Sequence, residues 1–153
     1  MFGSEEYPEF ANDLYNDIFA FLPSGPGIAG DPNLGGAKNI AVLPGTNTPV
    51  EINSVNNIDN WEYYRNNGVW HNSTLQYDGF TADFLGVKKS LTARVDVIPC
   101  NTYHLKLAVA DRFDAIYDSG VFISEVRGGA PDLDVAFASG LDYFIEDCTG
   151  GQD

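Results

Sequence analysis

Basic residues are scarce in this chain, and their scarcity argues against several functions. The 153 residues include eight Lys and Arg against 22 Asp and Glu, for a net charge of −14. Without a basic stripe to displace counterions, nucleic acid is not expected as a partner. Anionic membranes are disfavoured for the same reason, and no apolar run is long enough for membrane insertion. The excess carboxylates either keep copies soluble and apart, or they meet divalent cations outside the cell.

Cysteine is also rare, with only Cys100 and Cys148 present. This count excludes a disulfide-rich scaffold, and the spacing excludes a CxxC zinc or redox motif. One disulfide between them would fit an exported protein, while two free or separately paired thiols fit the sequence equally well. Neither cysteine is expected to be catalytic, and the acidic neighbours of Cys148 disfavour a thiolate. Residues 1–6 lack the basic and apolar parts of a signal peptide, so we expect the chain to start at a fragment boundary.

Catalytic motifs are missing as well. The sequence contains no GxSxG, HExxH, P-loop or GxGxxG pattern, and its two histidines, His71 and His104, lie far apart. A triad assembled in space or a pair of catalytic carboxylates would leave no such trace, so both stay open. The prediction is a protein that is not an enzyme.

Helical periodicity is scarce, whereas strand patterns are frequent. Glu6 to Leu14 is the single helical candidate, and Pro8 limits it to a loop or one turn. Apolar or alternating segments, typical of strands, occupy residues 17–22, 39–43, 49–55, 91–97, 103–110, 120–126 and 133–137. Such spacing without helices predicts an all-β, antiparallel two-sheet sandwich of the jelly-roll kind. The predicted core contains Val95, Leu105, Leu107, Val109 and Phe122.

An aromatic cluster lies in the Asn-rich segment 53–72, which we interpret as a long surface excursion. Its candidate ligand-binding residues are Trp61, Tyr63, Tyr64, Trp70 and His71. Aromatic rings beside amide side chains are suited to stacking on a sugar and bonding its hydroxyls. The alternative is that one or two of these rings pin the loop to the core.

Acidic residues are concentrated in the connection that follows the strand 103–110. The candidate calcium ligands are Asp111, Asp114 and Asp118, with Glu5, Glu6 and Asp17 as contributors from other loops. Their spacing does not match an EF-hand, so a Ca²⁺ site would need ligands from more than one loop. The alternative is that the aspartates form Asx-turns and bind no metal.

Ordered blocks along the chain resemble the choice-of-anchor L domain. The first block covers residues 2–10 and includes Ser4-Glu5-Glu6-Tyr7. The others fall in residues 15–21, 24–27, 39–41, 44–50, 53–56, 77–81, 100–111 and 117–122. The resemblance implies a secreted or cell-surface protein of the Bacteroidota type, with adjacent modules in the same parent chain. The resemblance assigns no catalytic or ligand-binding role to any residue of this chain.

The resemblance also suggests domain boundaries. Residues 1–127 are expected to form the domain, and residues 128–153 a hinge and tail toward a following module. Relatives usually have strands before the Ser4-Glu5-Glu6-Tyr7 block, so we expect an N-terminal truncation that leaves a strand edge exposed.

Two functional classes follow from these observations. One is an adhesin-like module that binds a glycan or another surface ligand, favoured by the aromatic segment. The other is a structural spacer or self-assembling building block of a cell-surface protein.

Overall fold

The computed structural model describes residues 1–68, 77–83, 90–113 and 116–127. Within these ranges there is no α-helix, and two 3₁₀ turns span Pro32–Leu34 and Trp61–Tyr63. The strands are β1 (Phe2–Ser4), β2 (Ile18–Ser24), β3 (Tyr64–Asn66), β4 (Gly79–Thr81), β5 (His104–Ala110) and β6 (Ser119–Val121). The predicted turn structure after Glu6 is confirmed, because residues 5–12 form turns.

The strands form two antiparallel sheets. One sheet has the order β3-β4-β1-β6, and the other consists of β2 paired with β5. The all-β prediction is therefore confirmed, and the two sheets are consistent with a sandwich. Strand β1 lies between β4 and β6, so the first residues of the chain occupy the interior of a sheet.

Strand β2 has neighbours on both of its edges. On one edge it pairs with β5, with Phe21 opposite Leu107. On the other edge Phe21 O accepts from Ile40 N at 2.9 Å, and Phe19 N donates to Val50 O at 3.4 Å. The segments predicted as strands at 39–43 and 49–55 thus run along β2, although only isolated bridges join them to their neighbours.

The hydrophobic core packs the beginning of the chain against the segment around residues 50–52. Phe2, Tyr7, Val50 and Ile52 form one buried cluster. A glycine at position 79 makes this packing possible, because a Cβ there would come within 2.6 Å of the Tyr7 side chain. Eight polar or charged residues of the described part of the chain are also buried, namely Ser4, Glu6, Asn16, Asp17, Ser54, Asn56, Asp78 and Thr81.

The predicted core is wrong for most of its members. Leu105, Leu107, Val109 and Phe122 are exposed, each to 45–47%, and Val95 is only half-buried. Alternation identifies residues that share one face of a strand, but it does not show whether another layer covers that face. Leu105, Leu107 and Val109 share one face of β5, and their exposure shows that this face stays largely open.

The Asn-rich segment is only partly a surface excursion. Val55 and Asn56 are fully buried at its start, which corrects the prediction for these residues. The Asn56 side chain organises the turn, because its Oδ1 accepts from the N–H of Ile58 at 2.8 Å and of Asp59 at 2.7 Å. Asparagine favours such turns, so a polar residue here serves the fold rather than solvent exposure.

Candidate functional site

Three carboxylates from distant parts of the chain meet at one end of the β2–β5 sheet. Glu6, Asp17 and Asp111 each offer an oxygen, and these oxygens lie within 4.8 Å of one another. Glu6 and Asp17 are fully buried, whereas Asp111 is exposed. We call this group the acidic cluster.

Strand register explains why two of the three residues meet. Ile18 lies opposite Ala110 in the antiparallel pair. Asp17 precedes Ile18 and Asp111 follows Ala110, so both aspartates leave the sheet at the same end.

Asp17 is held in place by several hydrogen bonds. Its Oδ1 accepts from the backbone N–H of Arg112 at 3.2 Å, and its Oδ2 accepts from the Ser119 hydroxyl at 2.6 Å. Its backbone carbonyl accepts from Ile52 N at 3.2 Å. The carboxylate is therefore fixed between β2 and the segment that follows β5.

The turn after β1 positions Glu6 and ties its neighbour to the segment before β6. Glu6 N donates to the Ser4 hydroxyl at 3.0 Å. Glu5 N donates to Asp118 O at 3.1 Å, and Asp118 N donates to Glu5 Oε2 at 2.9 Å. These paired bonds bring the N-terminal turn against the acidic connection after β5.

The charges of Glu6 and Asp17 in the acidic cluster act on the buried phenol of Tyr7. Its side chain is fully buried, and its hydroxyl makes no hydrogen bond to any residue the structure describes. Burial raises the pKa of Tyr7 well above its ordinary value, and the charges of Glu51, Asp17 and Glu6 raise it further, as does Tyr64. The hydroxyl therefore stays protonated within a negatively charged environment.

The predicted calcium ligands fall into three groups. Glu6, Asp17 and Asp111 come together in the acidic cluster. Glu5 and Asp118 bond to each other at its border. Asp114 lies outside the described residues.

The predicted aromatic platform is divided in the structure. Trp61 is 60% exposed, whereas Tyr63 and Tyr64 are half-buried. The Tyr64 ring packs against Tyr7 with centroids 5.1 Å apart, so Tyr64 supports the core. Trp70 and His71 fall among the residues that the structure leaves undescribed.

Sequence reasoning missed two residues of the site. Ser119 bonds the Asp17 carboxylate, and the charge of Asp17 acts on the buried Tyr7 phenol. Neither residue type signals a cation site by itself. The signal that could have found them is their position next to predicted ligands in the sequence, since Tyr7 follows Glu5-Glu6 and Ser119 follows Asp118.

Fold and site together define an all-β module in which a carboxylate of the first turn lies close to carboxylates at the ends of two paired strands. The chain belongs to the choice-of-anchor L domain family, whose profile matches residues 1–126. This family is associated with the cell surface and is not a known enzyme family. No curated protein and no solved structure matches the chain. Among the described residues, no helix is long and apolar enough to cross a membrane.

Proposed function

We propose that the domain is a non-catalytic module of a secreted or cell-surface protein and that a Ca²⁺ ion holds its fold together. The ion would be bound by Glu6, Asp17 and Asp111. The observation that carries this proposal is the convergence of these three carboxylates, two of them fully buried, within 4.8 Å.

The spacing of the carboxylates suits a shared calcium ion. Ca²⁺ binds oxygen ligands at about 2.3–2.6 Å, so two ligands of one ion lie at most about 5 Å apart. The acidic cluster meets this limit. Its three residues would supply part of the six to eight ligands that Ca²⁺ takes, with the remainder from backbone oxygens or water.

The electrostatics of the cluster also favour a cation. Burying a carboxylate costs several kcal/mol unless a charge or strong hydrogen bonds offset it. Glu6 and Asp17 are both fully buried, and their proximity to Asp111 adds repulsion between like charges. A divalent cation would offset both costs.

The Tyr7 hydroxyl gives independent support. It is fully buried near Asp17 and Glu6 and makes no hydrogen bond in the described part of the chain. Unsatisfied buried groups are rare and commonly indicate an ordered water or ion. An ordered water or ion would satisfy this hydroxyl, and a hydrated cation in the acidic cluster is one source of such a water.

The test is thermal melting of the 153-residue chain in chelator and in millimolar Ca²⁺, with Mg²⁺ as the ion control and ionic strength held constant. Extracellular sites bind with dissociation constants of about 10⁻⁴–10⁻³ M. At 10 mM Ca²⁺, which is about 10 to 100 times that constant, the fold would gain about 1.4–2.7 kcal/mol, which corresponds to a shift of a few degrees.

Asp111 is the cluster residue to substitute, because it is exposed and its replacement leaves the core intact. We expect Asp111→Asn to abolish the Ca²⁺ shift, and the matched change Asp96→Asn, also at an exposed residue, to retain it. A shift of equal size in Asp111→Asn, or none in the unsubstituted protein, would reject the site.

A second candidate function is the binding of a glycan or another surface ligand at Trp61. The specific observation in its favour is that this large ring is 60% exposed on the 3₁₀ turn Trp61–Tyr63. Aromatic rings with one accessible face stack well on the apolar side of a sugar. The neighbouring Tyr63 is half-buried and would form the edge of such a platform.

A glycan array tests this candidate. We expect a hit that Trp61→Ala abolishes and that Ile58→Ala preserves, because Ile58 is equally open at 66% but has no ring to stack. Trp70→Ala and His71→Ala extend the test to the rest of the predicted platform. An array without hits, or hits indifferent to Trp61, would exclude glycan binding there.

The nature of the parent protein completes the proposal. We expect it to be an adhesin-like protein of the Bacteroidota in which residues 128–153 lead to a neighbouring module. The match to a family of surface-associated proteins supports this expectation.

A further inference from the structure

Among the residues that the structure describes, strand β5 has a partner on one edge only. It pairs with β2 on one side, and no described residue forms a backbone hydrogen bond to its other side. An unpaired edge presents N–H and C=O groups that can template another strand. We call this side of His104–Ala110 the open edge.

The pairing of β2 shows which backbone groups point outward from β5. Phe21 directs its C=O to Ile40 and Phe19 directs its N–H to Val50, both away from β5. In an antiparallel pair, directly opposite residues either bond to each other or both point away. Leu107 and Val109, opposite Phe21 and Phe19, therefore direct their N–H and C=O groups to the open edge, and Leu105 does so by alternation.

The side chains along the open edge are also unusual. Leu105, Leu107 and Val109 are exposed to 45%, 45% and 47%. Natural edges are commonly protected by charges or proline, and within His104–Ala110 the single such charge is Lys106. Residues 97–110 contain no Asp or Glu in a chain with 22 of them. At a net charge of −14, this is a stretch where two copies can approach without carboxylates opposing each other.

We propose that the open edge binds the β5 strand of a second copy of this chain, antiparallel, about a two-fold axis at Leu107. Leu107 then lies opposite its own counterpart, and Leu105 lies opposite Val109. The outward N–H and C=O groups of these three residues meet the outward groups of the other copy. The two β2–β5 pairs become one continuous four-stranded sheet with an extended apolar face.

The charges along the strand agree with this register. Lys106 falls opposite Ala108, and His104 falls opposite Ala110, so no like charges face each other. Such a two-fold contact is self-complementary, as an isologous dimer requires.

Other registers are less favourable. Moving the axis to Lys106 sets two lysines directly opposite each other, and moving it to Ala108 places Leu105 opposite Asp111. Moving it to Val109 places Leu107 opposite Asp111, which puts a carboxylate at the edge of the apolar face. Moving it to Leu105 places Val109 opposite Asn101 and loses the Leu–Val pairs. The axis at Leu107 alone uses all three outward residues of both copies.

A disulfide cross-link tests the register. In the full chain with Cys100→Ser and Cys148→Ser, Leu107→Cys places two thiols opposite each other in a hydrogen-bonded pair. The Cα atoms of such a pair lie about 5.5 Å apart, within the range of a disulfide. Leu105→Cys is the matched control, because its two copies would be offset by four residues, or about 13 Å.

We expect mild oxidation to give a covalent dimer with Leu107→Cys and none with Leu105→Cys. Circular dichroism confirms that both variants are folded. Failure of Leu107→Cys to cross-link in the folded protein, or equal cross-linking at position 105, overturns the proposed pairing.

Sedimentation equilibrium measures the association without a cross-link. We expect a concentration-dependent mass that rises toward twice the 16.7 kDa of one chain. Leu107→Arg sets two cations opposite each other and abolishes the dimer, whereas Ile58→Arg adds the same charge at another exposed apolar residue and preserves it.

The cross-linking and the sedimentation experiments are each carried out in Ca²⁺ and in chelator, so that failure of the calcium proposal is distinguishable from failure of this one. A chain that stays monomeric at every concentration overturns the proposal and means that something other than a second copy covers the edge.

Discussion

Tyr7 and Tyr64 both have raised pKa values, and burial is the main cause in each case. Tyr7 is fully buried, and its pKa lies well above the ordinary range, chiefly through desolvation. Burial raises the pKa of Tyr64 to about 12, with smaller contributions from the charges of Glu9 and Asp78. Both phenols are therefore kept neutral by the folded state.

The difference between the pKa of Tyr64 in the folded and in the unfolded chain predicts a loss of stability at alkaline pH. An unfolded tyrosine ionises near pH 10, whereas folded Tyr64 ionises at about 12. Between these values the folded state holds more protons, so the free energy of unfolding falls as pH rises. Urea denaturation between pH 9 and 12 should show this decline, and Tyr64→Phe should make it shallower. An unchanged slope in Tyr64→Phe would assign the decline to other groups.

At the same scale, part of the site was predictable from single residues. Glu6, Asp17 and Asp111 were recognised because carboxylates are the residues that bind hard cations and because their loops were expected to meet. Ser119 was not recognised, since a hydroxyl becomes relevant only when the fold brings it 2.6 Å from Asp17. Glu5 could not be distinguished from Glu6, although its carboxylate instead accepts from the Asp118 N–H.

At the scale of elements, β2 and β5 were the most predictable parts of the fold. Residues 17–22 and 103–110 carry long apolar or alternating patterns, and both form strands. The short strands β1, β3 and β4 were not predicted. Each has three residues, too few for a period of two to be visible. Their formation depends on pairing with distant segments.

Hydrogen exchange should reveal the alternation along β5. The amides of Lys106 and Ala108 point toward β2 and should be protected at all concentrations. The amides of Leu107 and Val109 point to the open edge, and they should exchange quickly in dilute protein and slow down as copies associate. Nuclear magnetic resonance exchange at two concentrations measures this. Equal protection of all four amides in dilute protein would contradict the assigned orientation.

At the scale of the whole molecule, β5 serves both proposed sites. Its end leads into Asp111 of the acidic cluster, and its open edge is the proposed contact between copies. The charge of −14 keeps most of the surface repulsive toward another copy, so association is directed to the acid-free strand. In a surface module built in this way, a cation would stabilise the fold and a sheet shared between two copies would hold the copies together.

The amino-acid sequence by itself determined the all-β class, the family and the acidic character, because these depend on composition, local periodicity and ordered motifs. The tertiary structure alone decided which side chains are buried. Leu107 is the most informative case: its alternating pattern predicted a core residue, yet it is 45% exposed. Glu6 is the opposite case, a charged residue that the fold buries completely. Burial depends on which layers pack on a strand, and that information is carried by long-range pairing rather than by neighbouring residues.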